Sequence, residues 1–454
     1  MSFRSSRTSL TQKVKRMSTR KLHLILFLML AVPPASFAQI NCASSASSSK
    51  LSCLIPSTVT PSGFTFSNSS AQSVSVGNNF GFLTADIGGE ISQIPLASPA
   101  SGIIFTTDPT LHVPVPSDQS LGPILTQRPE TIGKRKVYVA FTYQYFLLED
   151  VDGNGLKGLP ATFLLSSSAN TGTSPDTVAF GNSRIDLKVH QFVGYVTYGL
   201  TSRIDVSAAI PLLRVDMRYT VNEQLFNASN GSLLPVCGPG VTGACTPSNP
   251  FQNSKAQEST GIGDVVLAVK GTLWKLKHGG GLAAGAEFRL PTGDAQNFLG
   301  SGTFGAKPFA AFAYGGRVSP HVNVGYQFNG TTVLVASSSG TGKGSLPNRL
   351  IYSGGADWRV VRKFTFAADI LAQRVFDAPR AAILTDVQPI NNSSLTIPRT
   401  ITTSKGTYNR TDGSIGFKVK PIGRLLLTSN LLVKLDRGGL RERLAPLFGA
   451  SYTF

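Results

Sequence analysis

His321-Val322-Asn323-Val324-Gly325-Tyr326-Gln327-Phe328-Asn329 is the stretch that decides the fold. Val322, Val324, Tyr326 and Phe328 fall on one face of an extended chain; His321, Asn323, Gly325, Gln327 and Asn329 fall on the other. Side chains alternate across a strand, so a period of two with this contrast describes a strand between an apolar phase and a wet one.

The same alternation recurs. Leu282, Ala284, Ala286, Phe288 and Leu290 oppose Gly285, Glu287 and Arg289. Phe364, Phe366, Ala368 and Ile370 oppose Thr365, Asp369 and Gln373. Leu425, Leu427, Leu431 and Val433 oppose Thr428, Asn430 and Lys434, and Val265, Leu267 and Val269 oppose Asp264 and Lys270. Twelve such strands are predicted, at 137–148, 184–199, 203–219, 263–275, 281–291, 306–315, 320–329, 349–358, 364–375, 408–419, 424–435 and 445–454. Their connections alternate in length. Short ones follow Gly199, Leu276, Gly315, Arg359 and Lys420, and long ones span 149–183, 220–262, 292–305, 330–348 and 376–407. A soluble sandwich has no reason for that rhythm; a transmembrane barrel with tight turns on one side and long loops on the other does. The expected fold is therefore all-β: a transmembrane, antiparallel, up-and-down barrel of about twelve strands, within a range of about ten to fourteen.

Composition agrees. Of 454 residues, 41% are hydrophobic, 15% are charged and 46 are Gly. The net charge of +18 owes seven cations to residues 1–38, which hold no acid; beyond them 35 basic residues face 24 acidic ones. That surplus suits anionic lipid headgroups or solutes, or loops facing water. No basic tract is interleaved with aromatics, so nucleic acid is not an expected partner.

Residues 17–38 carry a basic flank (Arg20, Lys21), an apolar run from Leu22 to Val32 and the small-residue pattern Ser36-Phe37-Ala38. This reads as a secretory signal peptide cleaved after Ala38, with Met17 as an alternative start to Met1. Its run is too short to span a bilayer as a helix. The expected location is the bacterial outer membrane, with outer-membrane lipid, lipopolysaccharide and the barrel-assembly machinery as partners. Residues 39–130, rich in Ser, Pro and Gly, read as a periplasmic or lumen-plugging segment with one short strand around Gly102 to Thr106. Cys42, Cys53, Cys237 and Cys245 follow the cleavage site; the short loops favour Cys42–Cys53 and Cys237–Cys245 among three possible pairings. The chain ends with Phe448, Tyr452 and Phe454 on one face, which looks like the signal that barrel-assembly machinery reads.

Three pieces resemble the outer-membrane transporter family associated with the meta-pathway of phenol degradation. They are Tyr198-Gly199-Leu200-Thr201-Ser202-Arg203-Ile204-Asp205-Val206, Gly261-Ile262-Gly263-Asp264-Val265-Val266-Leu267, and Phe288-Arg289-Leu290-Pro291-Thr292-Gly293-Asp294 with Leu299-Gly300-Ser301-Gly302. The resemblance covers about 184–330 and implies a barrel, as a channel for aromatic or apolar compounds. None of these motifs is catalytic.

Gly261-Ile262-Gly263-Asp264 lacks the third Gly and the helix of a dinucleotide fingerprint, and its glycines suit a bend at a strand start. Asp150-Val151-Asp152-Gly153-Asn154-Gly155 matches half a calcium loop, but Ala161 stands where a Glu is needed. No metal or cofactor is expected. The lumen-lining candidates are Asp186, Lys188, His190, Arg203, Asp205, Asp264, Lys270, Glu287, Arg289, His321, Asp357, Asp369 and Lys434. Such charges either pair to fill a narrow barrel or line a watery path. The leading reading is passive movement of a small solute, without enzymatic activity. Its rivals are a non-conducting structural barrel, blocked by residues such as Phe192, Trp274 and Leu426, and an outer-membrane hydrolase built on a Ser–His pair.

Overall fold

The computed structural model describes residues 49–59, 65–66, 81–97, 105–107, 114–116, 120–165, 177–227, 230–233, 236–237, 251–336, 343–387 and 396–454. The expected signal peptide at 1–38, Cys42 and Cys245 lie outside them. Cys53 is disulfide-bonded, to a partner outside the described side chains.

Twelve strands make the barrel: β1 (Val137–Val151), β2 (Thr177–Gly199), β3 (Ile204–Asn227), β4 (Val265–Lys275), β5 (Gly280–Leu290), β6 (Gly305–Tyr314), β7 (Val318–Asn329), β8 (Arg349–Val361), β9 (Phe364–Val387), β10 (Ile397–Val419), β11 (Leu425–Lys434) and β12 (Leu444–Thr453). Each pairs antiparallel with the next. The last strand pairs with the first, from Leu447 opposite Gln144 to Thr453 opposite Tyr138, and closes the sheet. Closure removes the free edges that hydrocarbon would not tolerate. No helix among the described residues is long and apolar enough to cross a membrane.

The short connections fall where the sequence places them. At the β4–β5 turn Gly280 takes φ +77°, and a Cβ there would sit 2.2 Å from the Ala313 carbonyl oxygen, so only glycine fits. Alternation then sorts the side chains. Ile210, Leu212, Val322, Val324, Ile370 and Leu427 point outward as an exposed apolar belt. Tyr198, Trp274, Tyr314, Trp358, Tyr452 and Phe454 stand outward near the short-turn end, where amphipathic rings meet a membrane interface.

Four boundaries differ from the sequence reading by far more than the others, which differ by up to three residues. β2 begins at Thr177, β3 runs to Asn227, β9 runs to Val387 and β10 begins at Ile397. The expected 376–407 loop is thus largely a projecting hairpin. Its pairing resumes at Ala378 opposite Gly406 after an irregularity beyond Val375. On β2 and β3 the chemistry of the two faces reverses beyond Phe192 and Leu212. Ile185, Leu187, Val189, Val215, Met217 and Tyr219 point inward and are buried, while Arg184, Lys188, Arg214 and Arg218 point outward. The reversal marks where the wall leaves its apolar surroundings and wraps a core of its own. Two accessory strands join this region: Leu159–Leu165 against β2 and Phe251–Ile262 against β3.

The second accessory strand continues into β4. Its register on β3 shifts by one residue between Ile262 opposite Leu212 and Val266 opposite Ala209. Gly263 and Asp264 therefore form a bulge within one long strand rather than a strand start.

Among the described residues two α-helices precede the barrel in sequence, α1 (Leu54–Val59) and α2 (Gly81–Ile91). Leu54, Ile55, Leu83, Ile87 and Ile91 share one core with the inward residues of β2 and β3. Gly88 permits the approach of α2, since a Cβ there would stand 2.8 Å from the Phe298 ring. Phe105–Thr107 pairs with Pro114–Pro116; the earlier part of the expected 102–106 strand lies outside the described residues.

Ile370 stands level with Val322 across β8, on the outward face. An Ile370→Arg substitution should destabilise the folded barrel by about 2–4 kcal/mol. Urea unfolding in lipid vesicles measures this; exposed Arg374→Ala should change stability by under about 0.5 kcal/mol.

Candidate functional site

The interior of the barrel is organised around the chain that precedes β1. Residues 120–136 form no regular helix or strand, so their backbone groups need partners from elsewhere. The inward face of the wall supplies them. Lys270 Nζ donates to the carbonyls of Arg128 and Glu130, both at 2.8 Å, and Thr272 Oγ1 donates to Pro129 at 2.6 Å. Lys418 Nζ donates to Leu121 (3.3 Å) and Pro123. Asp205 accepts from the Ile132 N–H at 3.0 Å. Asn323 binds both backbone groups of Gln127, at 2.6 and 2.9 Å, as a strand neighbour would.

His321 is held between two carboxylates. Its Nε2 lies 2.6 Å from Asp369, and its Nδ1 lies 3.1 Å from Asp357. Ser120 donates to Asp357, not to the imidazole. Both ring nitrogens are engaged, which leaves neither free to take a proton from that serine.

Helix α2 is fastened at the long-loop end. Glu90, buried on the helix, accepts from Arg349 at 2.6 Å, from Tyr408 at 2.7 Å and from Arg410 at 3.1 Å. Arg410 also donates to Glu442 at 3.2 Å, and Arg441 pairs with Asp412. Burial alone would raise the Glu90 pKa; the Arg349 and Arg410 guanidiniums outweigh it and hold the carboxyl below its ordinary range.

Between helix and threaded segment lies a cavity of about 230 Å³. Residues 91–97 and 125–127 line one side of it, and the barrel wall lines the other. Its apolar lining includes Ala209, Leu213, Val266, Phe309 and Ile351. The charges on it are paired within the protein: Lys307 with Glu287 at 2.7 Å and Arg289 with Asp264 at 3.7 Å. Beside this cavity the ladder between β6 and β7 is interrupted. Pairing runs through Gly305–Asn329 and Ala306–Phe328, and resumes at Phe309–Gly325. Pro308 stands in the interruption and has no N–H to offer.

Of the lumen-lining candidates, Asp205, Asp264, Lys270, Glu287, Arg289, His321, Asp357, Asp369 and Lys434 point inward. Asp186, Lys188 and His190 do not: they share the outward face of β2 with Phe192. Arg184 pairs with Asp186 at 2.9 Å, and Tyr143 Oη meets His190 Nδ1 at 2.9 Å. They lie beyond the apolar belt, where the outward face meets water and the inward face is apolar. Arg203 is exposed in the β2–β3 turn. Phe192 and Trp274 also face outward, and Leu426 alone of the three bulky candidates faces in. Asp150 is taken by Lys434, and Asp152 accepts from Arg380 at 2.7 Å and from the Gly439 N–H at 2.9 Å, so both serve the wall.

The sequence reading missed Glu90, Arg349, Arg410 and Lys418. Alternation along β10, with Ile415 and Phe417 outward, places Arg410 and Lys418 inward and could have found those two.

The motifs at Gly261–Asp264, Thr292–Gly293 and Ser301 converge. Asp264 accepts from Gly293 N–H (3.1 Å) and Ser301 N–H (2.8 Å), while Thr292 Oγ1 donates to Gly263 (2.7 Å). Residues 166–346 match the family model described as "Putative MetA-pathway of phenol degradation", the family those motifs resemble. No curated protein matches the chain. Among solved structures it is similar to an outer membrane channel from Pseudomonas putida F1, at 13% identity over 72% of this chain and 97% of that one, with a TM-score of 0.39. It is also similar to a Pseudomonas aeruginosa FadL homologue (11%, 78% and 96%, 0.30) and to the Ralstonia pickettii toluene transporter TbuX (11%, 71% and 90%, 0.33). These likenesses are remote, and the fold rests on the chain's own strand pairing.

Glu90→Gln should loosen α2 by about 3–5 kcal/mol, because buried Arg349 loses the carboxylate it pairs with, while Arg410 keeps Asp412 and Glu442. Amide exchange of residues 81–91 reads the change. A depressed carboxyl stabilises above its unfolded pKa of about 4.3 and ceases to as pH falls through the lower folded value. Protection of α2 should therefore hold from neutral pH down to about pH 4.5 and fall below it.

Proposed function

We propose that the chain is an outer-membrane channel through which small aromatic or apolar solutes pass without energy input. The observation that carries this reading is the coincidence of the cavity with the interrupted β6–β7 ladder. A cavity of about 150 Å³ suffices for benzene, so 230 Å³ holds one aromatic ring. Its lining joins inward residues such as Phe309 to Val324 and Tyr352, which belong to the outward face. The solute's route runs between cavity and membrane through the wall at Pro308. The family matched at 166–346 supports the same substrate class.

In this reading the leader is removed after Ala38. Residues 39–130 then act as a plug, held by Glu90 at one end and by the Lys270 and Lys418 contacts at the other. Phe448, Tyr452 and Phe454, exposed on the last strand, present the assembly signal. The outward cations Arg184, Lys188, Arg214 and Arg218 meet lipopolysaccharide. A hydrolase is disfavoured because His321 is enclosed by Asp357 and Asp369.

Lys307 and Gln327 occupy opposite positions within the interruption. A Lys307→Cys/Gln327→Cys pair, once oxidised, should cut toluene uptake by cells at least tenfold, and reductant should restore it. Uptake that is indifferent to the crosslink would exclude the lateral route. In planar bilayers the intact chain should carry almost no ion current, and Glu90→Gln should introduce open events.

A further inference from the structure

Every short turn of the barrel carries a cation. Lys134 and Arg135 stand before β1, Arg203 lies in the β2–β3 turn, and Lys275 and Lys277 stand at the β4–β5 turn. Arg317 lies in the β6–β7 turn, Arg362 and Lys363 in the β8–β9 turn, and Lys420 and Arg424 in the β10–β11 turn. All are exposed except Lys420, which is half-buried. Lys275 Nζ donates to the Ser202 carbonyl at 3.0 Å and Arg317 to the Arg359 carbonyl at 3.4 Å, both uncharged acceptors. Among the described residues, Lys134, Arg135, Arg203, Lys277, Lys363 and Lys420 make no ion pair.

The acids described in these segments are engaged elsewhere. Glu130 accepts from the Gly280 N–H at 2.8 Å. Asp205 and Asp357 are buried on the inward face, against the Ile132 N–H and against Ser120 and His321. The terminal carboxylate of Phe454 is one further anion at this end. The long-loop end differs: Arg184 meets Asp186 at 2.9 Å, and Arg214 meets Glu258 at 2.6 Å. A surface that only faces water mixes its signs in this second way.

The cations begin where the aromatic girdle stops. Lys275 follows Trp274, Arg359 follows Trp358, and Arg317 is three residues beyond Tyr314. One strand residue advances the chain by about 3.4 Å, so the charges sit at headgroup depth, just outside the rings. We infer that this rim is a binding surface for anionic glycerophospholipid headgroups of the leaflet it faces. The inference rests on the outer-membrane part of the reading above, in which short turns face the periplasm, and is independent of the solute. A zwitterionic lipid offers the same phosphate but cancels its charge with its own amine, so the rim prefers a lipid with net negative charge.

The chain's two tryptophans, Trp274 and Trp358, both point outward at this rim, so their fluorescence reports the lipid that touches it. The full mature chain is reconstituted into vesicles of equal phosphatidylglycerol and phosphatidylcholine, with one lipid and then the other brominated on its acyl chains. Brominated phosphatidylglycerol should quench as though enriched about fivefold at the rim, the worth of one basic residue beside an anionic surface. Salt at about 1 M should remove most of that enrichment, because the charges are exposed. Combining Lys275→Gln, Lys277→Gln, Arg362→Gln and Lys363→Gln, which leaves both tryptophans in place, should bring it below about twofold. Heat-resistant electrophoretic mobility verifies that the variant is folded. Equal quenching by the two lipids, or an enrichment that survives the four substitutions, overturns the inference and leaves the channel reading standing. Absence of quenching by either lipid in the folded chain overturns the membrane-spanning reading on which both rest.

Discussion

A chain inside a barrel has to satisfy its backbone there, and this constraint organises the molecule. Residues 120–136 make almost no hydrogen bonds of their own kind, so the wall carries donors and acceptors at the heights where they pass. Lysine suits the task, because an ammonium offers three donors and can hold two carbonyls at once, as Lys270 does with Arg128 and Glu130. The charged inward face is therefore not a bare electrostatic lining. Much of it serves the segment it encloses, and most of the rest is paired across neighbouring strands.

This explains which parts of the architecture could be read from sequence. Alternation identifies strands wherever one face meets lipid and the other meets polar matter, and all twelve barrel strands carry it. It also aims the side chains correctly at Asp264, Glu287, Arg289 and His321, where apolar neighbours mark the outward face. It fails at Asp186, Lys188 and His190 for a physical reason: the rule "polar means inward" assumes lipid outside. On β2 beyond Phe192 the outside is water and the inside is a hydrophobic core around α1 and α2, so a correct strand carries an inverted inference. Glu90 was beyond reach for a different reason. Nothing local in Gly81–Ile91 says that two arginines more than 250 residues away will close upon it.

The family-like motifs were legible as turns and loops, and the structure brings them together. The bulge at Gly263–Asp264 lets one strand leave the outer sheet and enter the barrel. The Asp264 carboxylate then fixes the loop after β5 by two backbone N–H groups, and Thr292 ties back to Gly263. The motif set is a clamp that holds the long-loop rim, which also bounds the cavity through Asp264, Leu299 and Gly300.

The same reasoning bears on Pro308. In hydrocarbon an unpaired backbone group costs several kcal/mol, so a proline in a transmembrane ladder is tolerated only where the freed groups face something other than lipid. Here the interruption falls beside the cavity, with Lys307 and Phe309 on its inner side. A wall that needed only to be tight would keep the ladder whole at this height. Its one interruption in the β6–β7 pairing stands against the chamber whose charges cancel, where the proposed route would leave the barrel.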